Sequence, residues 1–270
     1  MINHIYGGHQ KGIGTMSLTN LINELNQEDK PDLIVTPGVE DFLAKQGNIV
    51  VNSEELQDKL IDIVSDNSNS VRVGRFGASS RGTCLRAQVF RFTGDVEERT
   101  WIDTTLQNLF NDGTWRHIRW QMMCLLGNIL TDVETKVTNP KYPNFGGSID
   151  GIGYSEKYGK FGFELKGTSW MPTEVKDIHL MQIHTYFVLD PEIKVFSVVY
   201  EDKKTQDYRE FVIHPIPEYL SKVKKEMSQL EESAAFKIYP EILNNCRERK
   251  GQVYKNCPYA HGCLEFPNEN

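Results

Sequence analysis

The chain has 270 residues, 39% of them hydrophobic and 25% charged, with a net charge of −7. That is the balance of a globular protein of one large domain or two small ones. It argues against a protein that coats nucleic acid non-specifically, and leaves room for an enzyme whose cations line one groove. No apolar run reaches the ~18 residues of a membrane helix, and the opening "MINHIYGGHQKGIGTM" lacks an apolar signal core, so an intracellular protein is expected.

Residues 1–70 hold weakly patterned helical and extended pieces, broken by the polar gaps "NQEDKPD" and "SDNSNS". The second gap predicts a boundary, with an N-terminal extension over 1–70 and the main domain over 71–270. "RGTCLRAQVFRF" starts a helix. "TWIDTTLQNLFNDGTWRHIRWQMMCLLGNIL" then carries Ile118, Met122, Leu125 and Ile129 as one helical stripe, with His117, Gln121 and Cys124 on the neighbouring face. After it the period changes. "VETKVT", "GSIDGIGYS", "KFGFELKGTS", "KVFSVVYED" and "REFVIHP" are short and strand-like. The helices "TEVKDIHLMQIHTYFVL" and "PEYLSKVKKEMSQLEESAA" interrupt and follow them. The order predicts an α/β fold around a mixed sheet flanked by helices.

In "KFGFELKG", Phe161, Phe163 and Leu165 share one strand face, and Glu164 and Lys166 share the other. A Gly-rich hairpin brings Asp150 onto the neighbouring strand. Such a triplet is either a solvated cross-strand charge network or a metal-dependent phosphodiester site. Paired carboxylates repel each other. A divalent cation such as Mg²⁺ resolves the repulsion and acidifies an attacking water, and Lys166 would neutralise charge on the phosphate. His117 is either a structural helical histidine or a nitrogen ligand suited to Mn²⁺. Gln182 and Tyr186, four apart, lie on one face of the helix after the E-x-K strand.

The five cysteines do not form an even disulfide framework. Cys124, in "WQMMCLLGNIL", reads as a buried small hydrophobe. Cys246, Cys257 and Cys263 crowd "CRERKGQVYKNCPYAHGC", which suggests thiolate ligands. None of them follows the short paired spacing of structural zinc.

In chain order the sequence shows "GTWRH" (His117), "GGSIDG" (Asp150), "FELKG" (Glu164, Lys166) and "QIHTY" (Gln182, Tyr186). This order resembles the RecB-type branch of the PD-(D/E)XK nucleases. With "CLRAQVF" (Cys84) before these motifs and "NCPYAHGC" after them, it resembles the iron–sulfur members of that branch. Those are the CRISPR-associated RecB-like exonucleases, their phage-borne relatives and the AddB nuclease domain. The resemblance spans roughly residues 75–265. One departure is that Cys246 and Cys257 replace the usual C-x-x-C.

The resemblance implies a restriction-endonuclease-like core whose metal ligands are His117, Asp150, Glu164 and the Leu165 carbonyl, binding Mg²⁺ or Mn²⁺. Lys166 would be catalytic, with Gln182 and Tyr186 in support. Cys84, Cys246, Cys257 and Cys263 would hold a [4Fe–4S] cluster that clasps the N- and C-terminal parts together. It further implies a cytoplasmic exonuclease of a prokaryote or phage-infected cell, cutting single-stranded DNA from its ends with 5′→3′ polarity. Two alternatives stay open: a subunit active only within a helicase, recombination or CRISPR-adaptation assembly, and a non-catalytic nucleic-acid-binding module. Arg81, Arg86, Arg116, Arg119 and Lys176 are the candidate phosphate-binding cations, and Trp170 a candidate base-stacking side chain.

Overall fold

Short segments of the chain build, among the described residues, one mixed sheet of six strands. In the computed structural model, which describes residues 32–45, 47–50, 53–65, 74–99 and 102–266, the strands are β1 (Phe76–Gly77), β2 (Asp132–Asn139), β3 (Tyr142–Ser155), β4 (Gly159–Thr168), β5 (Val195–Asp202) and β6 (Tyr208–Ile213). They lie in the order β1-β3-β4-β5-β6, with β2 also on β3. The pairs β2–β3, β3–β4 and β5–β6 are antiparallel, while β1–β3 and β4–β5 are parallel. The mixed α/β sheet expected from the sequence is therefore present.

Helices cover both faces. On one side lie α1 (Thr36–Ala44) and α4 (Thr104–Leu126). Their Val35, Val39, Trp120, Met123 and Cys124 pack on Phe161, Phe163, Leu165 and Val199. This is the aromatic face of β4, and Cys124 sits in it as a core thiol. α2 (Glu54–Ser65) lies near α4 through Leu56 and Leu60, which pack against Ile118, Met122 and Leu125. The helix ends at Leu126, so Ile129 falls beyond the stripe predicted for it and joins the β4-facing cluster instead.

On the other side lie α3 (Leu85–Thr93), α5 (Asp177–Leu189) and α6 (Pro217–Phe236). Val89, Phe90, Ile183, Tyr186, Phe187, Val223 and Met227 bury Phe196, Val198 and Tyr200. Local chemistry sets the ends of these helices. The Asp103 side chain caps α4 by accepting from the Leu106 amide at 2.8 Å, Pro217 opens α6, and Gly94 stops α3 at φ 74°. The C-terminal tail adds α7 (Asn244–Arg247), α8 (Gly251–Lys255) and α9 (Ala260–Cys263). Among the described residues no helix is long and apolar enough to cross a membrane.

The boundary expected near residue 70 lies outside the described residues, as do residues 1–31 of the predicted extension. From Leu33 onward the chain clusters as one unit. One buried carboxylate explains the attachment of α1. Glu210, on β6, accepts from the Ile34, Val35 and Thr36 amides at 2.8–3.2 Å and from the Thr36 and Ser197 hydroxyls at 2.7 and 2.6 Å. A charged acceptor at a helix N-terminus meets both unpaired amides and the helix dipole. Glu210→Ala strands these donors in the interior and should cost about 3 kcal/mol or more, with Glu210→Gln losing less. Urea unfolding checks this; equal stability of Glu210→Ala and wild type would contradict the anchor.

Candidate active site

The register of β3 and β4 explains where the charged residues meet. Pairing runs from Ser155↔Gly159 to Gly151↔Phe163 and then stops. One step further, Asp150 and Glu164 would face each other. Instead the strands part, and β4 continues on β5 alone, with Glu164↔Val198 and Lys166↔Tyr200. The Leu165 amide, left without a strand partner on that edge, donates to Asp150 Oδ2 at 2.7 Å. An extended residue turns its N–H and C=O to the same edge, so the Leu165 carbonyl also faces the fork. Strict alternation slips here as well. Ile149 and Ile152 both reach the α5-side core, while a side chain at Gly151 would meet Leu130 of the opposite core.

Helices close the fork from both sides. From α5, Gln182 Nε2 donates to Glu164 Oε1 at 2.7 Å and to the Tyr186 hydroxyl at 3.2 Å. Tyr186 in turn donates to the Ser148 carbonyl. Lys166 Nζ donates to Glu164 Oε1 at 2.7 Å and to Gln182 Oε1 at 2.9 Å. Glu164 Oε1 thus takes two donors, while its other oxygen, Oε2, is buried with no hydrogen-bond partner among the described residues. From α4, His117 Nδ1 lies 3.3 Å from Asp150 Oδ2, and Gln121 Nε2 donates to the Asp150 carbonyl at 2.9 Å. All six side chains expected at the site converge. The solvated-network reading of the triplet does not fit, because Glu164 is 2% and Asp150 8% exposed.

Glu134 is a site residue that the sequence analysis did not single out. It stands on β2 at the register position opposite Asp150, at φ 47°, a left-handed conformation uncommon for a side chain with a Cβ. Gln121 Nε2 and the Ser148 hydroxyl donate to its two oxygens at 2.8 and 2.9 Å. His117, Glu134 and Asp150 each offer a ligand atom within 4.8 Å of the others. Only the strand period of "VETKVT" hinted at a charge on one face, and the β2–β3 register that aims it is not readable from the sequence.

Charge is crowded at the fork. Burial first, then the Asp150 charge, pushes Glu164 up to about 7, and the same two causes raise Glu134. Burial disfavours a charged His117, but the adjacent Asp150 and then Glu164 outweigh it and raise the imidazole to about 9. Burial likewise opposes Asp150 ionisation, and His117 and Lys166 overcome it and hold that carboxyl down. Like charges this close are costly in the interior, and a bound divalent cation would remove the cost.

Three of the expected phosphate-binding cations are structural instead. Arg81 is buried over the Phe76 and Phe145 rings, bonded to Gln88 and 3.5 Å from Glu226. Arg116 is buried against Glu201, which also holds Arg119 and the Trp120 indole. Arg86 donates to the Pro240 and Phe266 carbonyls at 3.1 and 2.9 Å and lies over the Phe90 and Tyr239 rings, so it ties the C-terminal tail to α3. Arg119 is half-buried in the Glu201 network, whereas Lys176 is exposed at the start of α5. Trp170, beyond the end of β4, is 85% exposed.

The tail brings its cysteines to α3. Cys84 stands at the N-terminus of α3, and Cys84, Cys246, Cys257 and Cys263 line one pocket with Ala87, Leu243 and Tyr259. None is in a disulfide. Burial, then the neighbouring Cys84 and Cys263, raises the Cys246 thiol, and Cys257 is raised in the same way.

No protein-family model matches the chain, and no curated protein does. Among solved structures the chain is similar to SSO0001, at 12% identity over 81% of this chain and 98% of that one, with a TM-score of 0.46. It is similar to the alkaline exonuclease LHK-Exo from Laribacter hongkongensis, at 16% identity over 62% of this chain and 90% of that one, with a TM-score of 0.40. The same exonuclease in complex with dAMP gives 13% identity over 62% and 90%, with a TM-score of 0.44.

The crowding sets a pH dependence. The raised Glu164 binds more protons folded than unfolded, so its contribution falls as pH rises from about 4.5 to about 7. The raised His117 contributes stability that is complete below about 6.5 and lost as pH rises through about 9. In EDTA, Tm should therefore fall across this range, and less steeply in Glu164→Gln. Parallel Tm profiles for the two proteins would contradict the electrostatic account.

Proposed function

We propose that the chain is a divalent-metal-dependent DNA exonuclease of the RecB-like PD-(D/E)XK type, acting on single-stranded ends. The observation that carries the reading is the fork itself. Asp150 and Glu164 are buried where two strands part, one Glu164 oxygen lacks any donor, and Lys166 and His117 stand beside them. That donor set, with Glu134 opposite Asp150, fits a hard divalent cation that takes oxygens and one imidazole. His117, Asp150, Glu164 and the Leu165 carbonyl would hold it. When bound, such a cation supplies charge neutralisation at the phosphate and acidity to the attacking water.

The chain's own residues do the rest. Gln182 fixes Glu164 by its amide and is itself fixed by Tyr186, so the open oxygen is held in one direction. The Leu165 amide does the same for Asp150. Lys166, restrained between Glu164 and Gln182, presents an ammonium to a phosphate oxygen as negative charge grows there. To accept a divalent cation His117 must give up the proton that Asp150 favours, so cation binding releases a proton. The exposed Trp170 is available to stack an unpaired base. Single-strand preference and 5′→3′ polarity come from the motif resemblance, as does the cytoplasmic setting.

Cys84, Cys246, Cys257 and Cys263 would hold a [4Fe–4S] cluster. The reading is supported by their common pocket and by their being free thiols. Closing the long loop between α3 and the tail would restrain both ends of the domain.

With Mn²⁺ or Mg²⁺, end-labelled single-stranded DNA should be degraded, and EDTA should stop it. Glu164→Ala and Lys166→Ala should each lower the rate about a thousand-fold with an unchanged fold. Wild-type degradation by Glu164→Ala would overturn the site. The protein prepared without oxygen should be brown, with about four irons per chain. Cys84→Ser or Cys257→Ser should bleach it, and Cys124→Ser should not. A colourless protein with stoichiometric zinc would exclude the cluster and leave the nuclease reading standing.

A further inference from the structure

A second polar pair stands beside the fork and has no part in the chemistry just described. His179 lies on α5 one turn before Gln182, and Tyr200 lies on β5 in register with Lys166. Residues three apart on a helix share a face, so His179 and Gln182 both look onto the strand face that carries Lys166 and Tyr200. The two contacts run side by side. Gln182 reaches Lys166 at 2.9 Å, and His179 Nδ1 reaches the Tyr200 hydroxyl at 2.6 Å.

Hydrogen bonding fixes the state of the ring. The Tyr200 hydroxyl is fully buried and already accepts from the Lys176 amide at 3.2 Å. A buried hydroxyl proton needs an acceptor, and His179 Nδ1 is the acceptor in reach. Tyr200 therefore donates to Nδ1, and in the neutral imidazole the proton sits on Nε2. Burial, then the charges of Lys166 and Lys176, lowers the His179 pKa to about 4, so the ring is neutral at physiological pH. Among the described residues Nε2 has no protein partner, and His179 is only partly buried. The result is an oriented, uncharged N–H donor that feels the charges of both Lys166 and Lys176.

We propose that His179 Nε2–H, with the ammonium of Lys176, forms a subsite for the nucleic-acid phosphate next to the one being cut. The inference rests on the nuclease reading for its ligand, and on the Tyr200–His179–Lys176 geometry for its place. Two lysine charges attract the anion, while a neutral donor gives direction without adding a third positive charge to the groove. Tyr200 is a positioning residue that acts through the ring. The contact is made before and during cleavage alike, so it supports substrate binding rather than the chemical step.

The test uses the full chain, with binding of a fluorescent single-stranded oligonucleotide in EDTA and cleavage in Mn²⁺. A hydrogen bond to a charged group implies that His179→Ala should raise Kd and KM about tenfold or more, with kcat changed less than about threefold. His179→Gln, which keeps an N–H near the Nε2 position, should recover part of the loss. Tyr200→Phe should weaken binding less, and the ¹⁵N spectrum of His179 should pass from the Nε2–H tautomer to a mixture. Unchanged Kd and KM in a folded His179→Ala, or equal losses in the Ala and Gln variants, would overturn the subsite. Glu164→Ala separates the two readings, since it should bind the oligonucleotide and fail to cut it. If it cuts normally the nuclease site is wrong, and the subsite then stands or falls on Kd alone.

Discussion

The Leu165 amide donates to the Asp150 carboxylate, and the site depends on that one bond. β3 and β4 pair normally up to Gly151 and Phe163 and then separate. A backbone donor on a central strand cannot be left bare in the interior, and an acidic side chain replaces the missing carbonyl. The same bond holds the Asp150 carboxylate at the point where the strands part, on the strand edge to which the extended backbone also turns the Leu165 carbonyl. Hydrophobic packing makes this tolerable. Phe161, Phe163 and Leu165 lock the opposite face of β4 under α4, so the strand stays in place where it has lost one neighbour.

Charge follows from that geometry. Three carboxylates share a buried fork with one lysine and one histidine, and neither cation suffices to neutralise them. Gln182 and Gln121 add donors without charge. What remains is an open Glu164 oxygen and a His117 proton held by its neighbours. In the proposed reading a divalent cation would answer both at once. The Glu201 and Glu210 clusters show the contrast. Each is a buried carboxylate surrounded by donors, and each serves packing.

Much of this was legible in the sequence. The alternation of "KFGFELKG" separates an aromatic face from Glu164 and Lys166, and the four-residue spacing of Gln182 and Tyr186 puts them on one helix face. Both patterns are local, and both hold. The unread parts are non-local. Glu134 is aimed by a strand register and a positive φ. Arg81, Arg86 and Arg116 look like surface cations until Glu226, the tail carbonyls and Glu201 come to meet them from distant segments. Tyr200 and His179 likewise become a pair only when α5 lies across β5. The two-residue β1 carries no period at all.

In the proposed reading the fork would bind a divalent cation. The most direct measurement is anomalous scattering from a crystal of the protein soaked in Mn²⁺. A manganese peak is expected between the Asp150 and Glu164 carboxylates, within bonding distance of the Leu165 carbonyl. A peak only elsewhere on the protein, or none at the fork under saturating Mn²⁺, would contradict it.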